Sequence, residues 1–223
     1  MTVAAALALV GRGLVVFPID ATTKAPLTRH GCKDATRDER QVIEYWRRHP
    51  AAGIGVATGK PSGVVVIDVD PCSGGEDGFS DLASRLGAPG VSVRVTTPRG
   101  GWHTWYRAPS VPVPCSAGKL APGVDIRGDG GYVVAPPTTR PDGSGWRWAG
   151  RSPLAELQDE WIEALTAVTD RVESPATARA RALDRHALRR HSRGTPPRGH
   201  VLPGRPPLRA SRPRRVSRRA PPA

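Results

Sequence analysis

Val64-Val65-Val66-Ile67-Asp68-Val69-Asp70 is the stretch on which the reading of this sequence turns. Apart from Asp68, residues 64–69 are apolar and mostly β-branched, which predicts a strand buried on both faces. Side chains alternate along a strand, so Asp68 and Asp70 point to one face. They fall where the strand ends, just before Pro71. Two carboxylates so placed repel one another unless they share a cation. Hard divalent ions such as Mg²⁺ take carboxylate oxygens and keep other positions for water or phosphate. Asp-x-Asp also ends strands and turns for structural reasons alone, so the pair by itself leaves both readings open.

Outward from this strand, the chain alternates helical and extended patterns. Residues 3–11 predict a helix that packs on the core and closes at Gly13; Leu14 to Ile19 predicts a strand. No Lys or Arg precedes the apolar Ala4 to Val10, and Arg12 interrupts it, which disfavours a signal peptide. Thr36 and Glu39 have capping-box spacing ahead of Val42, Ile43 and Trp46, a helix that stops before Pro50. Ile54 to Thr58 predicts a short strand. Ser73 and Glu76 repeat the capping-box spacing before Phe79, Leu82, Ala83 and Leu86, a helix ended by Gly87 and Pro89. Val91 to Thr97 and Trp102 to Arg107 predict two strands joined by Pro98-Arg99-Gly100-Gly101. Val124 to Arg127 and Tyr132 to Ala135 predict another pair around Gly128-Asp129-Gly130-Gly131, and Trp146 to Trp148 a last short strand. Ser152-Pro153 suits a helix start, with Leu154, Leu157, Trp161, Leu165 and Val168 as its core-facing stripe.

Composition divides the chain. The formal charge is +13, from 33 Lys and Arg against 20 Asp and Glu. Fifteen Arg and only Glu173 and Asp184 lie in residues 171–223, which leaves 18 basic and 18 acidic residues before them. The positive excess therefore belongs to the tail, and charge alone says nothing about nucleic acid binding by the rest. After about Glu173, Arg and Pro dominate and large apolar residues thin out, so residues 173–223 are expected to be a disordered low-complexity tail. Its arginines suit nonspecific phosphate contacts; the same composition also fits a GC-rich gene read out of frame. Cys32, Cys72 and Cys115 lack CxxC spacing. That disfavours a disulfide framework or a structural zinc site and fits a reducing, cytoplasmic setting. Nothing approaches the ~18 apolar residues of a membrane span.

Three further residues complete the candidate site. Asp125 lies in Gly123-Val124-Asp125-Ile126-Arg127 and shares a strand face with Arg127. A carboxylate beside a guanidinium suits a metal–triphosphate site, the one holding metal and the other gripping phosphate; it equally suits a solvated ion pair on a strand edge. His103 follows Gly100-Gly101, which let backbone approach a ligand closely. It faces the same way as Trp105. A lone histidine on a strand is more often a packed residue than a ligand contact, and an acidic cluster beside it shifts that balance.

Together these residues form an ordered set. Lys24-Ala25-Pro26-Leu27, Gly31-Cys32-Lys33-Asp34-Ala35-Thr36, Gly53-Ile54-Gly55-Val56-Ala57-Thr58-Gly59 and Val66-Ile67-Asp68-Val69-Asp70 come first. Gly100-Gly101-Trp102-His103-Thr104-Trp105-Tyr106 and the run from Gly123 through Pro137 follow. In this order and spacing, over about residues 5–165, the chain resembles the N-terminal domain of bifunctional DNA primase/polymerases. That prim-pol family belongs to the archaeo-eukaryotic primase superfamily. The resemblance implies an α+β catalytic domain over residues 1–172, with an RRM-like catalytic sheet and an accompanying α/β unit. It implies template-directed nucleotidyl transfer from dNTPs or NTPs on single-stranded DNA, with two Mg²⁺ or Mn²⁺ ions. Asp68, Asp70 and Asp125 fall on the family's metal-binding catalytic carboxylates, and His103 on its nucleotide-binding histidine. Arg127 is placed to contact the triphosphate, and Lys119, in Ser116-Ala117-Gly118-Lys119-Leu120, is a weaker phosphate candidate.

Many relatives continue into a helicase. No G-x-x-x-x-G-K-[ST] occurs here, since Pro61 follows Gly59-Lys60, so any helicase is a separate partner. The expected setting is replication of a plasmid, phage or other mobile element, in the cytoplasm near the nucleoid. Two rival readings remain: a catalytically inactive nucleotide- or nucleic-acid-binding module, and a phosphatase of the haloacid dehalogenase type. The latter places a nucleophilic Asp near the chain start, whereas Asp68 comes late and no matching acidic pair lies downstream.

Overall fold

In the computed structural model, residues 2–172 are described. Helix α1, Thr2–Val10, buries Ala6 and Leu9. Strand β1, Val16–Ile19, is buried along its whole length. After a short 3-10 turn at Gly31–Asp34, helix α2, Glu39–Arg48, turns Val42 and Trp46 to the core. Strands β2, Gly53–Ala57, and β3, Val64–Val69, follow, then helix α3, Gly75–Leu86. Strands β4, Val93–Thr96, and β5, Trp102–Arg107, form the expected antiparallel pair. The remaining elements are β6 (Ser116–Ala121), β7 (Val124–Arg127), β8 (Tyr132–Ala135), β9 (Arg147–Trp148), β10 (Ala155–Glu156) and helix α4 (Asp159–Val172).

The strands make two sheets. A three-stranded sheet has the order β1-β2-β8, and a seven-stranded sheet runs β6-β7-β3-β5-β4-β9, with β10 paired to β5. Strand β3 lies between β7 and β5, antiparallel to both. Its two faces enter different cores. Val64 and Val66 pack with Val95, Trp105, Trp146, the smaller sheet, α1 and α2. Val65, Ile67 and Val69 pack with Leu82 of α3, with Tyr106, Val124 and Ile126, and with Trp161 and Leu165 of α4. A strand with cores on both faces must be apolar at nearly every position, and burying each of these side chains contributes ~1.5–3 kcal/mol. Asp68 breaks that run on the face turned toward the smaller sheet. The chain is thus a mixed helix-and-sheet protein. Among the described residues no helix is long and apolar enough to cross a membrane.

Several local expectations give way to tertiary structure. The two predicted capping boxes do not form. Asp38, not Thr36, caps α2 by accepting from Arg40 N, while Thr36 accepts from Asp38 N. At α3, Gly74 in left-handed conformation precedes the helix without a side-chain cap. Strands β7 and β8 do not pair with each other: β7 joins β3 and β6, and β8 joins β2. The Gly-Asp-Gly-Gly segment between them carries the chain from one sheet to the other. Ser152-Pro153 starts no helix, because Ala155–Glu156 instead lies parallel to Tyr106–Arg107 and Ser92 Oγ accepts from Ala155 N. Helix α4 begins at Asp159, with Leu157, Trp161 and Leu165 buried as expected. The side chain of Val168 and the tail at 173–223 lie outside the described residues. Strand β6 has no sequence signature; its pairing with β7 is irregular between Ser116 and Ala121.

Candidate functional site

The register of the larger sheet assembles the site. Asp68 pairs with Asp125 on β7 and with His103 on β5, so three candidate residues stand side by side across three strands. The close turn at the end of β3 depends on glycine. Gly123 has φ +64, and its carbonyl accepts from Asp70 N at 2.9 Å. A Cβ there would run into the backbone of Gly75 and Asp70. Only glycine allows this approach of β7 to the start of α3.

Arg127 lies between the carboxylates. Its Nη2 is 2.7 Å from Asp125 Oδ2 and 3.5 Å from Asp68 Oδ2. Asp125 Oδ1 accepts from Gly118 N at 2.7 Å. Burial raises the Asp68 carboxyl above its ordinary range; Arg127 and Lys24 oppose that shift, and Asp125 reinforces it. Asp70 does not close onto the pair. Its Oδ1 accepts from Cys72 N at 3.0 Å and its Oδ2 lies 3.8 Å from Arg99.

His103 is 2 % exposed and stacked against Trp105. Trp105 Nε1, which can only donate, lies 2.7 Å from His103 Nδ1. Nδ1 is therefore the acceptor, and the proton of the neutral ring is assigned to Nε2. Burial, with the Lys24 and Arg127 charges behind it, holds the ring neutral with a pKa of about 3. Nε2 has no hydrogen-bond partner among the described residues, so a buried donor is left unsatisfied at the site.

These groups line a cavity of ≈ 610 Å³ that also takes in Lys24, Arg99, Arg140, Trp146 and Tyr132. The lining thus mixes Asp68, Asp70 and Asp125 with Lys24, Arg99, Arg127 and Arg140. Lys119 is exposed on β6 and does not line the cavity; its neighbour Gly118 does. Sequence reasoning missed Arg99, Arg140 and Trp146 as lining residues, and Lys24 was legible only as part of a motif.

Among the described residues, no three His, Cys, Asp or Glu side chains gather closely enough to hold a metal ion. The donor chemistry still fits a hard divalent cation. Asp68 and Asp125 offer oxygens on one face, and a half-buried carboxylate raised by desolvation, with its acidic neighbour adding to the shift, gains from added positive charge. Arg127 now supplies part of that charge.

Fold and site together define an α+β protein whose cavity mixes carboxylates and cations, suited to a phosphate-bearing ligand. The family model described as "Bifunctional DNA primase/polymerase, N-terminal" matches residues 6–161. The chain belongs to that family, and its activity is of the primase/polymerase type. A crystal structure of the primase RepB' is similar at 14% sequence identity and TM-score 0.41, over 83% of this chain and 69% of that one. A search of curated proteins gives no match.

Proposed function

We propose that residues 1–172 form a catalytic domain that carries out metal-dependent, template-directed nucleotidyl transfer in DNA replication. The observation that carries this is the register Asp68–Asp125 on one side of β3 and Asp68–His103 on the other, inside a cavity that also holds Arg127. Asp68 and Asp125, with Asp70 turning from its cap, would hold Mg²⁺ or Mn²⁺. When bound, such ions lower the pKa of an attacking 3′-hydroxyl and stabilise charge at the α-phosphate as pyrophosphate leaves. Arg127 orients the triphosphate by charge-assisted hydrogen bonds. His103, fixed by Trp105 and kept neutral, donates through Nε2 to a phosphate or sugar oxygen.

The RRM-like reading of the catalytic sheet is supported by chain order: β3, α3, β4, β5 and β7 supply a β-α-β-β…β series on one antiparallel sheet. The substrates of this reading are dNTPs or NTPs and a single-stranded DNA template, with a separate helicase as partner. The setting is the cytoplasm at the nucleoid, in replication of a plasmid, phage or similar element. The tail at 173–223 adds phosphate contacts through its arginines. The test is a primer-extension and primer-free assay on single-stranded DNA with labelled nucleotides and Mg²⁺ or Mn²⁺. Incorporation that persists in the Asp68→Ala, Asp70→Ala double variant would sink the reading. Binding of nucleotide without any incorporation by the unaltered chain would favour an inactive binding module instead.

A further inference from the structure

We propose that Lys24 and Arg140, gathered on the ring of Trp146, form a second phosphate-binding wall of the cavity that takes the terminal phosphates of the incoming nucleoside triphosphate. The proposal rests on the nucleotidyl-transfer reading for its ligand, though not for its geometry.

Trp146 is 3 % exposed and anchored in the core that also holds Val66 and Trp105. Two cations lie against this one indole: Lys24 Nζ is 5.9 Å and the Arg140 guanidinium carbon 5.4 Å from its ring centre. Both side chains line the cavity. Neither makes an ion pair with a carboxylate among the described residues, whereas Arg99 and Arg127 both do. Arg140 Nε is buried and has no hydrogen-bond partner there. A charged donor in that state gains much from an anionic acceptor.

Lys24 is held where it is at a conformational cost. It is the one non-glycine with positive φ among the described residues, at +64°. Asp20 ties the turn: its Oδ1 accepts from Thr22 N, Thr23 N and Thr23 Oγ1, and its carbonyl accepts from Lys24 N. Tyr132 Oη, from β8, donates to the Lys24 carbonyl at 3.0 Å. Surroundings that over-determine a left-handed residue are a hallmark of functional positions. Lys24 lines the same cavity as Asp68, His103 and Arg127. That proximity favours the triphosphate over phosphodiesters of a strand running outside the cavity.

The substitution Lys24→Gly separates folding from binding, because glycine adopts positive φ without penalty. Lys24→Gly and Arg140→Gln in the full chain should each weaken binding of a non-hydrolysable deoxynucleoside triphosphate at least tenfold by calorimetry. Binding of the matching monophosphate and of single-stranded DNA should change less than twofold, and the Tm of Lys24→Gly should hold or rise. Unchanged triphosphate affinity overturns the proposal, as does a loss confined to single-stranded DNA. If the unaltered chain binds triphosphate through these residues but never incorporates it, the wall stands and the polymerase reading falls.

Discussion

Asp68 and Asp125 face each other in register on neighbouring antiparallel strands, and the one Arg127 guanidinium nitrogen lies 3.5 Å from the first and 2.7 Å from the second. Like charges so close are costly, and the burial of Asp68 adds to the cost. Added positive charge between the two carboxylates would relieve that cost. Asp68→Asn removes the repulsion, so its Tm in chelator should equal or exceed that of the unaltered protein. Nucleotide incorporation should fall at least a hundredfold in the same variant.

Divalent metal should act on stability as well as on rate. Millimolar Mg²⁺ or Mn²⁺ should raise the Tm of the unaltered chain, because an ion that binds only the folded state stabilises it by mass action. The rise should vanish when Asp68 and Asp125 are both changed to Asn. A rise that survives the double change would place the ion elsewhere.

The buried His103 gives stability a pH dependence. Its folded-state pKa, about 3, lies below the ordinary 6.5. Above pH 6.5 neither state is protonated there. As pH falls below 6.5, the unfolded chain takes up a proton that the folded chain refuses, and stability drops by up to about tenfold in the folding constant per pH unit. Urea unfolding in chelator between pH 7 and 4.5 should show a shallower loss for His103→Gln than for the unaltered chain. Parallel curves would contradict a neutral, buried His103.

Gly123→Ala should destabilise by about 2 kcal/mol or more, since it combines a positive φ with a collision against Gly75. The damage lies beside Asp70, so activity should fall in the fraction that remains folded. Denaturant titration beside a single-turnover assay measures both.

Truncation after residue 172 should leave incorporation on short templates within about threefold. It should flatten the salt dependence of single-stranded DNA binding, because the 14 arginines of residues 173–223 would no longer release counterions. Lys119→Ala, on the exposed side of β6, should change incorporation little.

Local pattern carried much of the architecture. The limits of β3, β5, β7 and β8 follow from apolar runs and alternation, and so does the shared face of Asp125 and Arg127. Where the structure departs, a non-local contact prevailed. Ala155–Glu156 follows Tyr106–Arg107 rather than the helical signal of Ser152-Pro153, and β6 exists because β7 offers it an edge.

The sequence by itself determined that Asp68 and Asp70 end a strand with no room for polar residues elsewhere, and that His103 and Trp105 share a side. Alternation and hydrophobicity are properties of a few consecutive residues, so they survive without any fold. Only the tertiary structure decided that Asp125 and His103 flank Asp68, and that Lys24, Arg140 and Trp146 close the same cavity. Those neighbours are set by which faces must be buried together across two sheets, and that demand is met by residues far apart in the chain.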